Sequence, residues 1–283
     1  MSANCNIPWR MLYYWVKEVN IQVLVHNSIE TGTLTFFNNT TRLLLQGCKL
    51  INKNLLHITK PLLLPLNKKR MTDLKNRFDS IIFDLDGTLW DSTVNVAKAW
   101  QQAKQELDFV KDDVTPEIVQ SIAGMAYDAI FDKLAPYLST EKRSEFKALS
   151  ARYEIDILKT EGGELYPELI STLNYLKTKY KLFVVSNCQC GYIETFLNLN
   201  NLNDIFLGHQ CYGTKNQPKF QNIIDVVQDF ELTNPVYVGD TQGDYDSATK
   251  AGVPIIFAAY GFGDVNGQPV ATINQFSDLQ EMM

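Results

Sequence analysis

The stretch "SIIFDLDGTLWDS", residues 80–92, sets two carboxylates, Asp84 and Asp86, directly behind a run of apolar residues and directly before a glycine. The run shows no in/out alternation, which is how a strand reads when a parallel sheet covers both of its faces. Residues two apart in an extended chain project to the same side, so Asp84 and Asp86 converge at the strand's carboxyl end while Leu85 turns away. Gly87 then lets the backbone turn sharply. Desolvating two carboxylates is costly, so the pair needs a partner or a purpose. A calcium loop does not supply one: counted from Asp84, the sixth and twelfth positions hold Leu89 and Asn95, where an EF-hand needs glycine and glutamate.

Four further apolar runs repeat the pattern downstream: "KLFVVSN" (181–187), "DIFLGHQ" (204–210), "PVYVGD" (235–240) and "PIIFAAY" (254–260). Amphipathic helical patterns lie between the later ones, as in "PELISTLNYLKTKY", "GYIETFLNLNN", "KFQNIIDVVQDF" and "DYDSATKAG". Alternation of this kind predicts an α/β fold with a doubly wound parallel sheet. Residues 92–164 hold no strand pattern and read as four helices, the last opening at Ser139 or Thr140 as N-cap. Such an insertion after the first strand predicts an all-helical cap domain above the carboxyl edge of the sheet, where open α/β folds bind ligands. The expected division is a core of residues 71–91 and 165–283, a helical cap of 92–164, and an amino-terminal extension of 1–70.

That extension is rich in Asn, Thr and Leu and shows neither a sustained 3.6-residue nor a 2-residue apolar period, so little stable structure is expected there. A basic interaction arm, a transit peptide and an upstream extension ahead of a start at Met71 all stay open for it; arginines are few, and no secretory pattern is present. Charge divides the chain at the same place. Residues 1–70 carry nine Lys/Arg and two Asp/Glu, leaving 17 of the 26 basic and 30 of the 32 acidic residues to positions 71–283. An acidic surface of that kind speaks against nucleic acid as a partner.

At 283 residues and 45% hydrophobic the chain is long enough for a sizeable core. No apolar run approaches the roughly 18–20 residues a membrane-spanning helix needs. Five cysteines without CxxC spacing argue against a disulfide framework or a structural zinc site and favour a reducing cytoplasm. The three histidines are isolated from any triad-like setting. Oligomeric state is not readable from the residues.

Three more elements fall at carboxyl ends of later strands. Ser186 and Asn187 end "FVVSN" and offer a hydroxyl and backbone N–H groups to a phosphoryl oxygen. Lys219, in "NQPKFQNI", stands at the start of a helical pattern, where its ammonium and the helix dipole both meet an anion. Asp240 and Asp244, in "VYVGDTQGDYDSA", are carboxylates suited to a hard divalent cation such as magnesium. Taken singly these read as a capping serine, a surface lysine and turn aspartates; in this order at one sheet edge they read as a site. Trp90, Gly124, Met125 and Tyr127 are candidates for lining its cleft.

This order, "DLDGTLWDS", then Ser186 in "VVSN", then Lys219, then "GDTQGD", resembles the haloacid dehalogenase-like superfamily, in particular its phosphatases with a helical cap of the phosphoglycolate-phosphatase type. The resemblance covers Phe78 to the carboxyl end and implies a Rossmann-like core. It implies a magnesium-dependent phosphatase acting on a small phosphorylated metabolite: Asp84 attacks phosphorus and becomes an aspartyl phosphate, and Asp86 serves as general acid and then base. Thr88 orients that acid or contacts the phosphoryl group, and Ser186 and Lys219 stabilise the phosphoryl oxygens. Magnesium lies between the Asp84 side chain, the Asp86 carbonyl and Asp240, with Asp244 positioning Lys219 or a metal-bound water. Many relatives read Gly-Lys-Pro where this chain reads "TKNQPKFQN", which leaves Lys215 as a second candidate for the phosphate-binding lysine. A phosphomutase of the same superfamily and a non-catalytic binding protein are the competing functions.

Overall fold

Residues 73–283 are described by a computed structural model, together with the backbone of three short strands nearer the amino terminus. Those strands, β1 (His26–Asn27), β2 (Leu34–Phe37) and β3 (Arg42–Leu45), pair antiparallel in the order β1-β2-β3. The remainder of 1–72 lies outside the described residues, and the expectation of little stable structure there lies outside with it.

The carboxyl-terminal unit is built on a six-stranded sheet. In chain order its strands are β4 (Ser80–Phe83), β7 (Lys181–Ser186), β8 (Gly208–Cys211), β9 (Pro235–Gly239), β10 (Ile255–Ala258) and β11 (Ala271–Ile273), arranged β11-β10-β9-β4-β7-β8 with every pairing parallel. Strand order runs from β4 through β7 and β8 in one direction and from β9 through β10 and β11 in the other. The crevice where the order reverses, beside β4, is where such a sheet presents a ligand site.

Both faces of the sheet are covered, which is why the strands are apolar without alternation. On one face Ile81, Phe83, Val184 and Val238 pack with α5 (Leu169–Leu176), α6 (Tyr192–Leu199) and α10 (Asp278–Met282). On the other, Ile82, Phe183, Val185 and Tyr237 pack with Ile223 and Val226 of α8 (Lys219–Asp229) and Ala248 of α9 (Gln242–Lys250). The period of two thus sends neighbouring residues of β4 into different layers.

Beyond β4 the chain loops tightly, with Leu89 N–H donating to the Leu85 carbonyl at 2.8 Å and Gly87 N–H to the Trp90 carbonyl at 2.9 Å. It continues into the short strand β5 (Trp90–Asp91), which pairs antiparallel with β6 (Glu164–Leu165). Between these two strands stand four helices: α1 (Thr93–Glu106), α2 (Pro116–Ser121), α3 (Tyr127–Leu134) and α4 (Thr140–Glu161). Ser139 caps α4 by accepting from Lys142 N–H at 3.4 Å. Thr115 caps α2, with Pro116 in the first position. Trp100, Phe131 and Phe146 bury together among these helices, Phe131 lying edge-on to Phe146 at 5.4 Å.

One expectation shifts in register, and one strand was not anticipated. "DIFLGHQ" forms a strand only from Gly208, because Ile205 and Phe206 are buried in the turn before it, Phe206 edge-on to Phe83 at 6.3 Å. The sixth strand, β11, is three residues long and carries no periodic signal. The four-residue helix α7 (Tyr212–Lys215) follows β8 directly. Among the described residues, no helix is long and apolar enough to cross a membrane.

Candidate active site

Asp84 follows β4 directly and extends its pairing, its N–H donating to the Val238 carbonyl at 2.8 Å. Its carboxylate is buried and accepts from the Lys219 ammonium at 2.8 Å; the same ammonium donates to Asp244 Oδ1 at 2.6 Å. Lys219 is the first residue of α8 and is 3% exposed, so a cation is held inside the protein by two carboxylates. Lys215 sits elsewhere, exposed on α7 and paired with Asp225 at 2.6 Å.

Asp244 is fixed in turn by a capping box at the start of α9. The Thr241 N–H and hydroxyl donate to Asp244 Oδ2 at 3.0 and 2.5 Å, and the Asp244 N–H donates back to Thr241 Oγ1. Asp240, fully buried at the end of β9, accepts from the Thr88 hydroxyl at 3.1 Å and from Phe262 N–H at 2.7 Å. Its loop approaches the β4 loop closely: Gly87 has φ +85°, and a Cβ there would lie 2.2 Å from Asp240 Oδ2. Asp84, Asp240 and Asp244 each offer a carboxylate oxygen, all within 4.8 Å of one another. An all-oxygen cluster of this kind matches a hard divalent cation.

Asp86 faces away from that cluster. Its Oδ1 accepts from Ser92 Oγ at 2.7 Å, Tyr192 hydroxyl at 2.8 Å and Trp90 Nε1 at 2.9 Å, so any share of a metal site falls to its main chain. Ser186 is buried at the end of β7. The Asn187 side-chain amide donates to the Gly124 carbonyl at 2.8 Å, tying the β7 end to the loop between α2 and α3.

Burial raises the Asp84 carboxyl to about 7, helped by the charge of Asp244 and opposed by Lys219. Burial likewise raises Asp240, with Asp244 and Asp84 adding to it. Asp86 is raised by burial against the three hydrogen bonds it accepts. For Lys219, burial works against the ammonium, but the charges of Asp244 and Asp84 outweigh it and hold the ammonium above its ordinary range. Asp244 is desolvated too, yet Lys219 and Thr241 hold it below the ordinary carboxylate range. Asp84, Asp240 and Asp244 cluster around one ammonium, held by Asp84 and Asp244, a concentration of carboxylates that a divalent cation would neutralise.

Asp84, Asp86, Ser186, Asn187 and Lys219 all border one cavity of about 70 Å³, roofed by α1–α4. Gly124, Met125 and Tyr127 line it as expected, whereas Trp90 is fully buried beneath Asp86. Ser92, Tyr192 and Glu154 are functional candidates that the sequence pattern did not single out. Glu154 carried a readable sign, since Phe146, Ser150, Glu154 and Leu158 form the buried stripe of α4 at four-residue spacing and two of them are polar.

The haloacid dehalogenase-like hydrolase family matches residues 81–258, more than half of the chain, from within β4 to the end of β10. The chain belongs to this family. Among curated relatives of this haloacid dehalogenase-like hydrolase, a phosphoglycolate phosphatase from Aquifex aeolicus is 30% identical over 72% of the chain and 95% of that protein. Among solved structures, a predicted phosphoglycolate phosphatase from Haemophilus somnus superimposes with a TM-score of 0.63 at 22% identity, covering 74% of the chain and 99% of its own. A haloacid dehalogenase-like hydrolase from Streptococcus pneumoniae does so with 0.64 at 22% identity, over 72% and 98%. These structural likenesses concern the fold.

Proposed function

We propose that the protein is a magnesium-dependent phosphatase that hydrolyses a small phosphomonoester through an aspartyl phosphate on Asp84. The observation that carries this reading is the buried Asp84 carboxylate, held by Lys219 beside Asp240 and opening on the same cavity as Asp86. Family membership and the names of the curated relatives support it.

In the first half-reaction an Asp84 carboxylate oxygen bonds to phosphorus, the ester P–O bond breaks, and its electron pair leaves on the alcohol oxygen, which takes the proton from Asp86. In the second, water attacks the phosphorus of the aspartyl phosphate, Asp86 takes the proton from that water, and Asp84 is released with phosphate. A carboxyl kept raised by burial suits the first duty of Asp86, and the donors Ser92, Tyr192 and Trp90 hold it in position. Lys219, Ser186 and the N–H groups after β7 face the phosphoryl oxygens, and Asn187 and Thr88 hold the surrounding loops. Asp84, Asp240 and the Asp86 carbonyl would hold magnesium, and Asp244 would position Lys219. The bound cation supplies charge neutralisation that lets a carboxylate approach a phosphate dianion. We take residues 92–164 as the cap that closes the site over a small metabolite. Cys188, Cys190 and Cys211 are free thiols, in keeping with a cytoplasmic enzyme.

Phosphate release from a panel of phosphate esters, with and without magnesium, tests the proposal. Metal-dependent release that Asp84→Asn reduces by about a thousandfold or more is expected. Release that survives the substitution, or that ignores the metal, would refute it.

A further inference from the structure

Apart from the group around Asp84 and Lys219, the lining of the cavity is unlike a site for an acidic molecule. Val96, Trp100, Val119, Ile122, Met125 and Ile130 give it apolar walls. Lys219 is the only Lys or Arg on its lining among the described residues, and Asp84 and Asp244 already hold it. The Lys147 ammonium lies over the Tyr127 ring at 5.5 Å and pairs with Asp128, outside this lining.

Of the polar side chains on the lining, Ser92 and Tyr192 are committed to Asp86 and Thr93 to Asp91, and three further polar groups interrupt those walls. Glu154 is 3% exposed and accepts from Trp100 Nε1 at 2.5 Å. The Tyr127 hydroxyl is buried without a hydrogen-bond partner, in a side chain 5% exposed, and Asn187 Oδ1 is likewise unpartnered. An unpaired buried hydroxyl is costly, and a ligand hydroxyl would satisfy it.

We propose that Glu154, Tyr127 and Asn187 form the leaving-group subsite, and that it takes the ester of a small uncharged polyol and rejects a carboxylate-bearing alcohol such as that of phosphoglycolate. This rests on the phosphatase reading above. A substrate carboxylate would lose its water at apolar walls with no cation to replace it, and would meet the Glu154 carboxyl. A hydroxylated alcohol finds the reverse: two unpaired polar oxygens and a carboxyl able to give and accept. Burial keeps Glu154 up at about 8, against the Trp100 hydrogen bond, so near neutrality it carries its proton and suits an uncharged partner better than an ammonium.

The test compares kcat/KM of the full chain with magnesium on glycerol 3-phosphate, a tetrose or pentose phosphate, phosphoglycolate, phosphoethanolamine and the generic ester p-nitrophenyl phosphate. A polyol or sugar phosphate is expected to exceed phosphoglycolate and phosphoethanolamine by about tenfold or more. Glu154→Leu and Tyr127→Phe are each expected to raise KM for the preferred polyol ester by about tenfold. Phosphoglycolate or phosphoethanolamine as the better substrate, or an unchanged KM in both variants, would overturn the subsite while leaving the phosphatase standing. No turnover of any ester, p-nitrophenyl phosphate included, would overturn the phosphatase reading and the subsite with it.

Discussion

At Gly87 the left-handed backbone at φ +85° and the contact with Asp240 have one cause, the close approach of the β4 loop to the β9 loop. An alanine there would be strained twice, by its φ and by a Cβ 2.2 Å from Asp240 Oδ2. Gly87→Ala is expected to displace Asp240 and raise the magnesium concentration for half-maximal activity by about tenfold, read from a metal titration of phosphate release. A titration unchanged from the wild type would separate this glycine from the cation site. Single residues were legible in the sequence where chemistry followed a strand: Asp84, Ser186 and Asp240 each stand just behind or at the end of an apolar run, and Lys219 opens a helical pattern. Ser92, Tyr192 and Glu154 were not, because what makes them candidates is tertiary. Ser92 and Tyr192 are one hundred positions apart, yet their hydroxyls lie 2.7 Å from each other and both reach Asp86.

Among elements, α9 joins stability to chemistry, since its capping box is built from Thr241 and the same Asp244 that holds Lys219. Thr241→Ala removes the box and is expected to lower stability by about 1 kcal/mol, or roughly 2–4 °C in Tm for a unit of this size. It should also raise KM, because Asp244 loses the donors that orient it. A fall in Tm with unaltered KM would show the cap to be structural alone. Elements with continuous apolar runs were read from sequence nearly to their ends, as β4, β7, β9 and β10 are, because burial on both faces leaves a strong local signal. The start of β8 was not, since Ile205 and Phe206 are buried without being in a strand, and hydrophobicity alone does not distinguish the two cases.

For the molecule as a whole, the acidic site links stability to pH and, on the proposed reading, to magnesium. Burial raises Asp84 to about 7 from an ordinary 3.8, so the folded protein holds this proton more tightly than the unfolded chain does. Stability from that source is complete below pH 4 and is lost as pH rises towards 7; Asp240 and Glu154 act in the same direction. Without divalent cation, Tm is expected to fall from pH 5 to pH 8. Magnesium binds only ionised carboxylates, so it should raise Tm more at pH 8 than at pH 5. Equal shifts at both pH values in a thermal melt would contradict this. The chain leaves the sheet unit at Asp91 and returns at Glu164, two residues paired side by side in the β5–β6 ladder. Everything between them is a closed excursion whose two ends meet whatever its length, so exchanging it for another insert would leave the register of β4 and β7 unaltered. If that segment is the cap proposed above, it carries Glu154 and Tyr127 of the proposed subsite while Asn187 stays with the sheet, so most contacts to the alcohol can be refitted by transplanting one contiguous segment, provided Ser92 is kept for Asp86.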